Sequence, residues 1–333
     1  MRLLPLLSVW AITLIAIGDP ATLSPEEREA WHNKQVAKAK AALPADLVDF
    51  YEATEAFNDE HLQRWEAFEA GHPDGEGRKA HEASLRAVIE EHPGSVDRLV
   101  ALARACDEPF RVPDDVNASE MRFALTRHTG SFSKVRDPIR IDAMMRLEAS
   151  DIDGAADRVA DLLAMSRTVA EIDPSVKGHL LSISLVREAL DTLEKVEAEA
   201  ELSPQRLTHL ADMLESQVRF FESYATPMLE GERDHMIAMF TESASPGIGP
   251  SKFEQAKATR VLNERYADII ELWPDASASD QIVEIDERMH ERLFPDWALS
   301  EESMLGRTHR KYNELHRPRM MSAIERLRAG EAE

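Results

Sequence analysis

An internal disulfide is the first thing this sequence excludes, because Cys106 is the only cysteine among its 333 residues. A chain of this length can do without them, since it buries enough surface to hold a core by packing alone. Cys106 lies in "VDRLVALARACDEP", where Val96, Leu99 and Ala103 recur at helical spacing. In that helical register it reads as a small core residue. Strand patterning is missing too, as no segment passes the test of alternating apolar and polar residues. With 13 glycines, 6% aromatics and few β-branched runs, the composition favours helix. Cations are in short supply: 39 Lys and Arg face 62 Asp and Glu, a formal charge of −23. A field of that sign repels phosphate backbones and excludes general nucleic-acid binding. The chain also lacks a Gly-rich phosphate loop, Gly-x-Ser-x-Gly, His-Glu-x-x-His and any cysteine pair.

What is present begins with "MRLLPLLSVWAITLIAIG", where Arg2 precedes an apolar stretch ending in small residues. Residues 1–18 read as a signal peptide cut after Gly18, with an uncleaved N-terminal anchor as the alternative. The run falls short of the roughly 20 residues a spanning helix needs, and no later segment is apolar enough to try. The expected location is therefore exported, periplasmic or extracellular, with membrane contact only through residues 1–18.

Nearly every later segment carries a 3.6-residue period. Ser24, Pro25 and Glu27 form a capping box that opens a first helix running to about Leu43. Further helices are expected near 45–70, 76–92 and 94–107, completing an N-terminal helical region over 19–107. Residues 108–137 lose the period and contain prolines, which predicts a long ordered loop. A helical-hairpin region follows over 138–333, with a kink expected at Pro227 and a flexible break near 241–252. The last three helices are expected at about 251–272, 279–294 and 306–329. The fold class is all-α: antiparallel helix hairpins packed as a bundle or a short α/α solenoid.

The segment "LEASDIDGAADRVADLLAMSR" resembles a tetratricopeptide-type helix hairpin, with Asp151, Gly154, Ala155 and Ala156 at the turn and the close helix contact. The wider run from Ile139 to Met236 is similar to a group of exported all-helical proteins of environmental bacteria. That resemblance covers about half the chain. It implies the helical fold and export, and no activity.

Two constellations carry chemistry. Glu232/His235 in "LEGERDHMIAMF" and Glu287/His290 in "DERMHERLF" share the Glu-x-x-His spacing that puts both side chains on one helix face. Helical di-metal bundles combine two such pairs with a Glu from each of two other helices. Here Glu215 or Glu222 and Glu264 or Glu271 would complete a di-metal centre spread over four successive helices. The plain alternative is surface ion pairs and caps, with no cofactor. The second constellation is the basic island "GRTHRKYNELHRPRM", holding Arg307, Arg310, Lys311, Arg317 and Arg319. It could bind acidic headgroups or a polyanion, with Tyr312 as a stacking face. Alternatively it neutralises acidic faces of its own domain. The sequence thus favours an exported binding or scaffold protein with a protein or peptide partner. A carboxylate/histidine metal protein or enzyme and a structural envelope protein stand as alternatives.

Overall fold

The computed structural model describes residues 37–39, 41–71, 77–106, 118–242, 252–293 and 304–330. The expected signal segment and most of the first helix lie outside these residues. Helices α1 (Ala45–Gly71), α2 (Gly77–Glu91) and α3 (Ser95–Ala105) match the N-terminal periodicity. They are followed by α4 (Ala118–Glu148), α5 (Ile152–Ile172), α6 (Val176–Glu199) and α7 (Pro204–Glu242). The C-terminal helices are α8 (Lys252–Leu272), α9 (Ser279–Leu293), α10 (Met304–Arg310) and α11 (Arg317–Gly330), the last two joined by a π-helical stretch, Lys311–His316. No strand occurs among the described residues, and none of their helices is long and apolar enough to cross a membrane.

The expected loop over 108–137 is corrected, because residues 118–137 belong to α4. Met121, Leu125, His128, Phe132, Val135 and Ile139 are buried at three- to four-residue intervals along it. His128, Thr129 and Ser131 interrupt the apolar row yet are buried as well, which hid the period. Pro138 is interior to the helix and not its first residue. It removes one backbone donor, at a cost of about 3 kcal/mol. Burial of Phe132, Val135, Ile139 and Ile141 around it, at roughly 1.5–3 kcal/mol each, outweighs that loss. Pro227 is likewise interior to a single helix, so Glu215, Glu222, Glu232 and His235 all ride on α7. The four-helix distribution of the metal set is corrected to three helices.

Two apolar cores organise these elements. The larger joins α1–α6, the first half of α7, and α11, and includes Phe50 against Phe132 at 4.7 Å between ring centroids. The smaller joins the later part of α7 to α8, α9 and α10 around Met228, Leu229, Leu262 and Ile269. Phe220 on α7 packs against both. Cys106 is buried and its thiol donates to the Leu102 carbonyl at 3.3 Å, as expected of a core thiol.

Helices α5 and α6 make the most extensive pair. Asp151 caps α5 by accepting from the Gly154 amide at 3.0 Å, and Ser175 caps α6 by accepting from the Gly178 amide at 3.2 Å. The connection between them is closely overlaid. A β-carbon on Gly178 would stand 2.0 Å from the Asp173 carbonyl oxygen, and one on Gly231 would stand 2.2 Å from that of Pro174. Gly130, in α4, has nothing within 4 Å of the same position. Gly178→Ala will therefore cost about 1–3 kcal/mol by overpacking against backbone. Gly130→Ala will stabilise by about 0.5–1 kcal/mol through helix propensity. Denaturant midpoints of the two variants check the contrast, and equal shifts would sink it.

At the α3–α4–α5 junction Arg158, 5% exposed, is enclosed by carboxylates. Its Nε lies 2.6 Å from Asp142 Oδ2, its Nη1 2.9 Å from Asp161 Oδ2, and its Nη2 bonds Asp97. Arg146 adds a second bond to Asp142 at 2.8 Å, and Arg104 bonds Asp161. Burial pulls the Arg158 guanidinium down, but the bonds from Asp97, Asp142 and Asp161 outweigh it and hold it well above its usual range.

Candidate functional site

The outer face of α6 is where the fold leaves charge unspent. Arg187, Asp191, Lys195 and Glu199 follow one another at four-residue spacing, which places them in a single row along the helix. With Arg140 from α4 and Glu194 they line an open trough of about 540 Å³. The row alternates in sign over roughly 18 Å of helix, from a rise of about 1.5 Å per residue.

Neighbouring helices anchor both walls. On one side Glu188 is gripped by Arg140 Nε at 3.2 Å and Arg136 Nε at 3.6 Å. Arg140 also donates to Glu82 at 3.0 Å, and Arg136 to Ser184 at 3.1 Å. Burial pushes the Glu188 carboxyl up, against the pull of Arg136 and Arg140. On the other side Arg319 of α11 bonds Asp191 at 2.7 Å and Glu194 at 2.8 Å. Among the described residues Arg187, Lys195 and Glu199 enter no ion pair. The trough therefore has fixed, paired walls, and of the row along its floor Asp191 is held by Arg319 while Arg187, Lys195 and Glu199 are left without an ion pair among the described residues.

Behind the first wall the polar network continues inward. Asp137 accepts from Arg136 at 3.2 Å and lies 3.4 Å from His81 Nε2. Burial works to raise the Asp137 carboxyl, but the bond to His81 and the nearness of Arg136 win and bring it down to about 2. The His81 ring meets His61 edge-on at 4.6 Å and Trp65 at 5.5 Å. His61 is buried, which with the neighbouring His81 pushes it below its ordinary value. Sequence reasoning passed over this cluster, since its members come from α1, α2 and α4 and share no local spacing.

The residues singled out from sequence are placed otherwise. Glu232 accepts from the Val176 amide at 3.2 Å and so serves the start of α6. His235 and Glu287 are half-buried on α7 and α9, and the His290 side chain lies outside the described set. Of the accompanying carboxylates, Glu215 pairs with Arg328 at 3.0 Å, Glu222 with Arg317 at 3.3 Å and Glu264 with Arg260 at 3.8 Å. Among the described residues no group of three or more His, Cys, Asp or Glu is placed to share an ion.

The basic island is largely turned onto the chain itself. Arg310 pairs with Asp280 at 2.8 Å, Arg317 with Glu222, and Arg319 with Asp191 and Glu194. Lys311 and Arg307 are exposed. Tyr312, expected as a stacking face, is instead buried at 5% exposure against Phe221, with centroids 5.3 Å apart. The π-helical stretch sets Tyr312 and His316 inward together, opposite α6 and α7.

Comparison with known proteins adds nothing to this geometry: no family model, no curated protein and no solved structure matches the chain.

Proposed function

We propose that the protein is an exported helical binding module whose protein or peptide partner lies in the α6 trough. The observation that carries this reading is the contrast within one surface. Glu188, Asp191 and Glu194 are fixed by arginines from α4 and α11, while Arg187, Lys195 and Glu199 on the same face have no ion-pair partner among the described residues. Fixed walls spare a partner the cost of ordering the site, and unneutralised charges set its orientation. Residues 1–18 supply the export signal in this reading.

A photocrosslinking amino acid placed at Ala198, on the trough floor, tests it in living cells. Expected is one discrete adduct with a second polypeptide, absent when the probe sits at Glu284, an exposed position of α9. The adduct should also weaken when Lys195 and Glu199 are exchanged. A probe at Ala198 that yields no adduct, or the same adducts as Glu284, would overturn the proposal.

A further inference from the structure

The row Arg187, Asp191, Lys195, Glu199 has more information in it than a charged patch, because its signs alternate at a fixed step. In the commonest class of helix packing, rows of four-residue spacing on two helices run alongside one another. A partner helix can therefore follow this row, meeting Arg187, Lys195 and Glu199 directly and Asp191 beside its bond to Arg319. Building on the reading above, we infer that the trough takes an α-helical segment of another protein, whose exposed row alternates acid and base at the same four-residue step. An extended peptide steps about 6.7 Å per two residues against about 6 Å per four on the helix, so it drifts by about 2 Å over the row, whereas a helix keeps the same step.

Three observations narrow the occupant. The trough is lined almost entirely by α6 with Arg140 at its edge, so it presents one helix face and not an enclosed pocket. Ala198 lies within the lining, between the charged positions, and its small side chain lets a second helix backbone approach. The row read antiparallel complements itself, but each copy carries −23 in total, so a second copy meets strong like-charge repulsion that a helix neutral in sum does not. Exposed ion pairs contribute little each, so such contacts choose register and orientation, and the association belongs to the weak, salt-sensitive class.

The test uses the full-length mature protein and two synthetic alanine-rich helical peptides of identical composition. Peptide A carries Glu-Lys-Glu-Lys at four-residue steps, and peptide B carries Glu-Lys-Lys-Glu. Wild type should prefer A by about fivefold, the effect of mismatching two exposed pairs. The preference should collapse when ionic strength is raised to about 1 M, where the screening length falls to about 3 Å. The exchange variant Lys195→Glu/Glu199→Lys keeps the composition and net charge and alters only exposed positions. It should prefer B by a similar factor. Equal affinity of wild type for A and B, a preference the exchange fails to invert, or no binding of either peptide would each overturn the inference. Protein that self-associates with the same dependence on Lys195 and Glu199 would also overturn it, in favour of a second copy. The adduct at Ala198 is scored separately, so a partner that binds the trough without reading the alternation leaves the binding-module proposal standing.

Discussion

Between about pH 7 and about pH 4, His179 and His316 together will withdraw on the order of 6 kcal/mol of folding stability. His179 on α6 is 1% exposed, set edge-on to Phe221 at 5.1 Å and 6.5 Å from the Tyr312 ring. Burial alone pushes it down to about 4. His316 is 3% exposed and is pushed down to about 4 by burial first, then by Arg187, Arg319 and Lys311, with Asp191 opposing. Nδ1 of each ring is buried with no hydrogen-bond partner. In the unfolded chain both rings take up a proton near pH 6.5, well before the folded rings do. The unfolded state therefore binds more protons through the window from about 6.5 down to 4, and stability falls as pH falls. One pKa unit corresponds to about 1.4 kcal/mol, which makes each ring worth roughly 3 kcal/mol across the window. Relief of the −23 net charge on acidification works the other way, so the informative quantity is a difference between proteins. Urea titrations at several pH values should show a flatter profile for His179→Leu/His316→Leu than for wild type. Parallel profiles would mean that neither ring is held neutral by the fold.

Arg158→Leu will cost about 3–5 kcal/mol, the usual effect of stripping the partner from buried charges. Asp142 and Asp161 are 8% and 3% exposed, and both face Arg158 directly. Arg146 and Arg104 would each retain a bond to one of them, which puts the expectation inside that range and not above it. Replacing the buried trio, as Asp142→Leu/Arg158→Met/Asp161→Leu, leaves Asp97, Arg146 and Arg104, which are more exposed, and should recover most of the loss, because buried ion clusters contribute little beyond an apolar replacement of similar size. Thermal and denaturant unfolding of the single and triple variants decide the matter. A triple variant as unstable as the single would show that the cluster stabilises in its own right.

The α5–α7 segment was the most legible in the sequence, since its apolar residues hold the 3.6 period and its caps are Asp151, Ser175 and Ser203. The start of α4 was not. Its buried face includes His128, Thr129 and Ser131, and a rule that sorts polar from apolar cannot recognise a face built from both. Pro138 reads as a helix start because proline is over-represented at the first helical position. The alternating row on α6 stands in the sequence in plain view, yet on its own it is what any solvated helix displays. Its meaning depends on which neighbouring carboxylates are already taken, and Arg319 takes two of them from more than 120 residues away. Arg310, Arg317 and Arg319 of the basic island pair with acidic residues on α9, α7 and α6, which lie too far off in sequence for local spacing to show. The Glu-x-x-His pairs illustrate the converse. Their spacing is local and easy to see, while the use of Glu232 at the start of α6 is a tertiary fact.

Helix α7 reaches from Pro204 to Glu242, close to 60 Å at about 1.5 Å per residue, and it furnishes side chains to both cores. Leu210, Leu214 and Phe221 close the larger one, Tyr224, Met228 and Leu229 close the smaller, and Phe220 touches each. A break within that helix would strip apolar surface from both cores at once. The two cores are thereby coupled through one rigid rod, and a substitution at Phe220 will be felt in each.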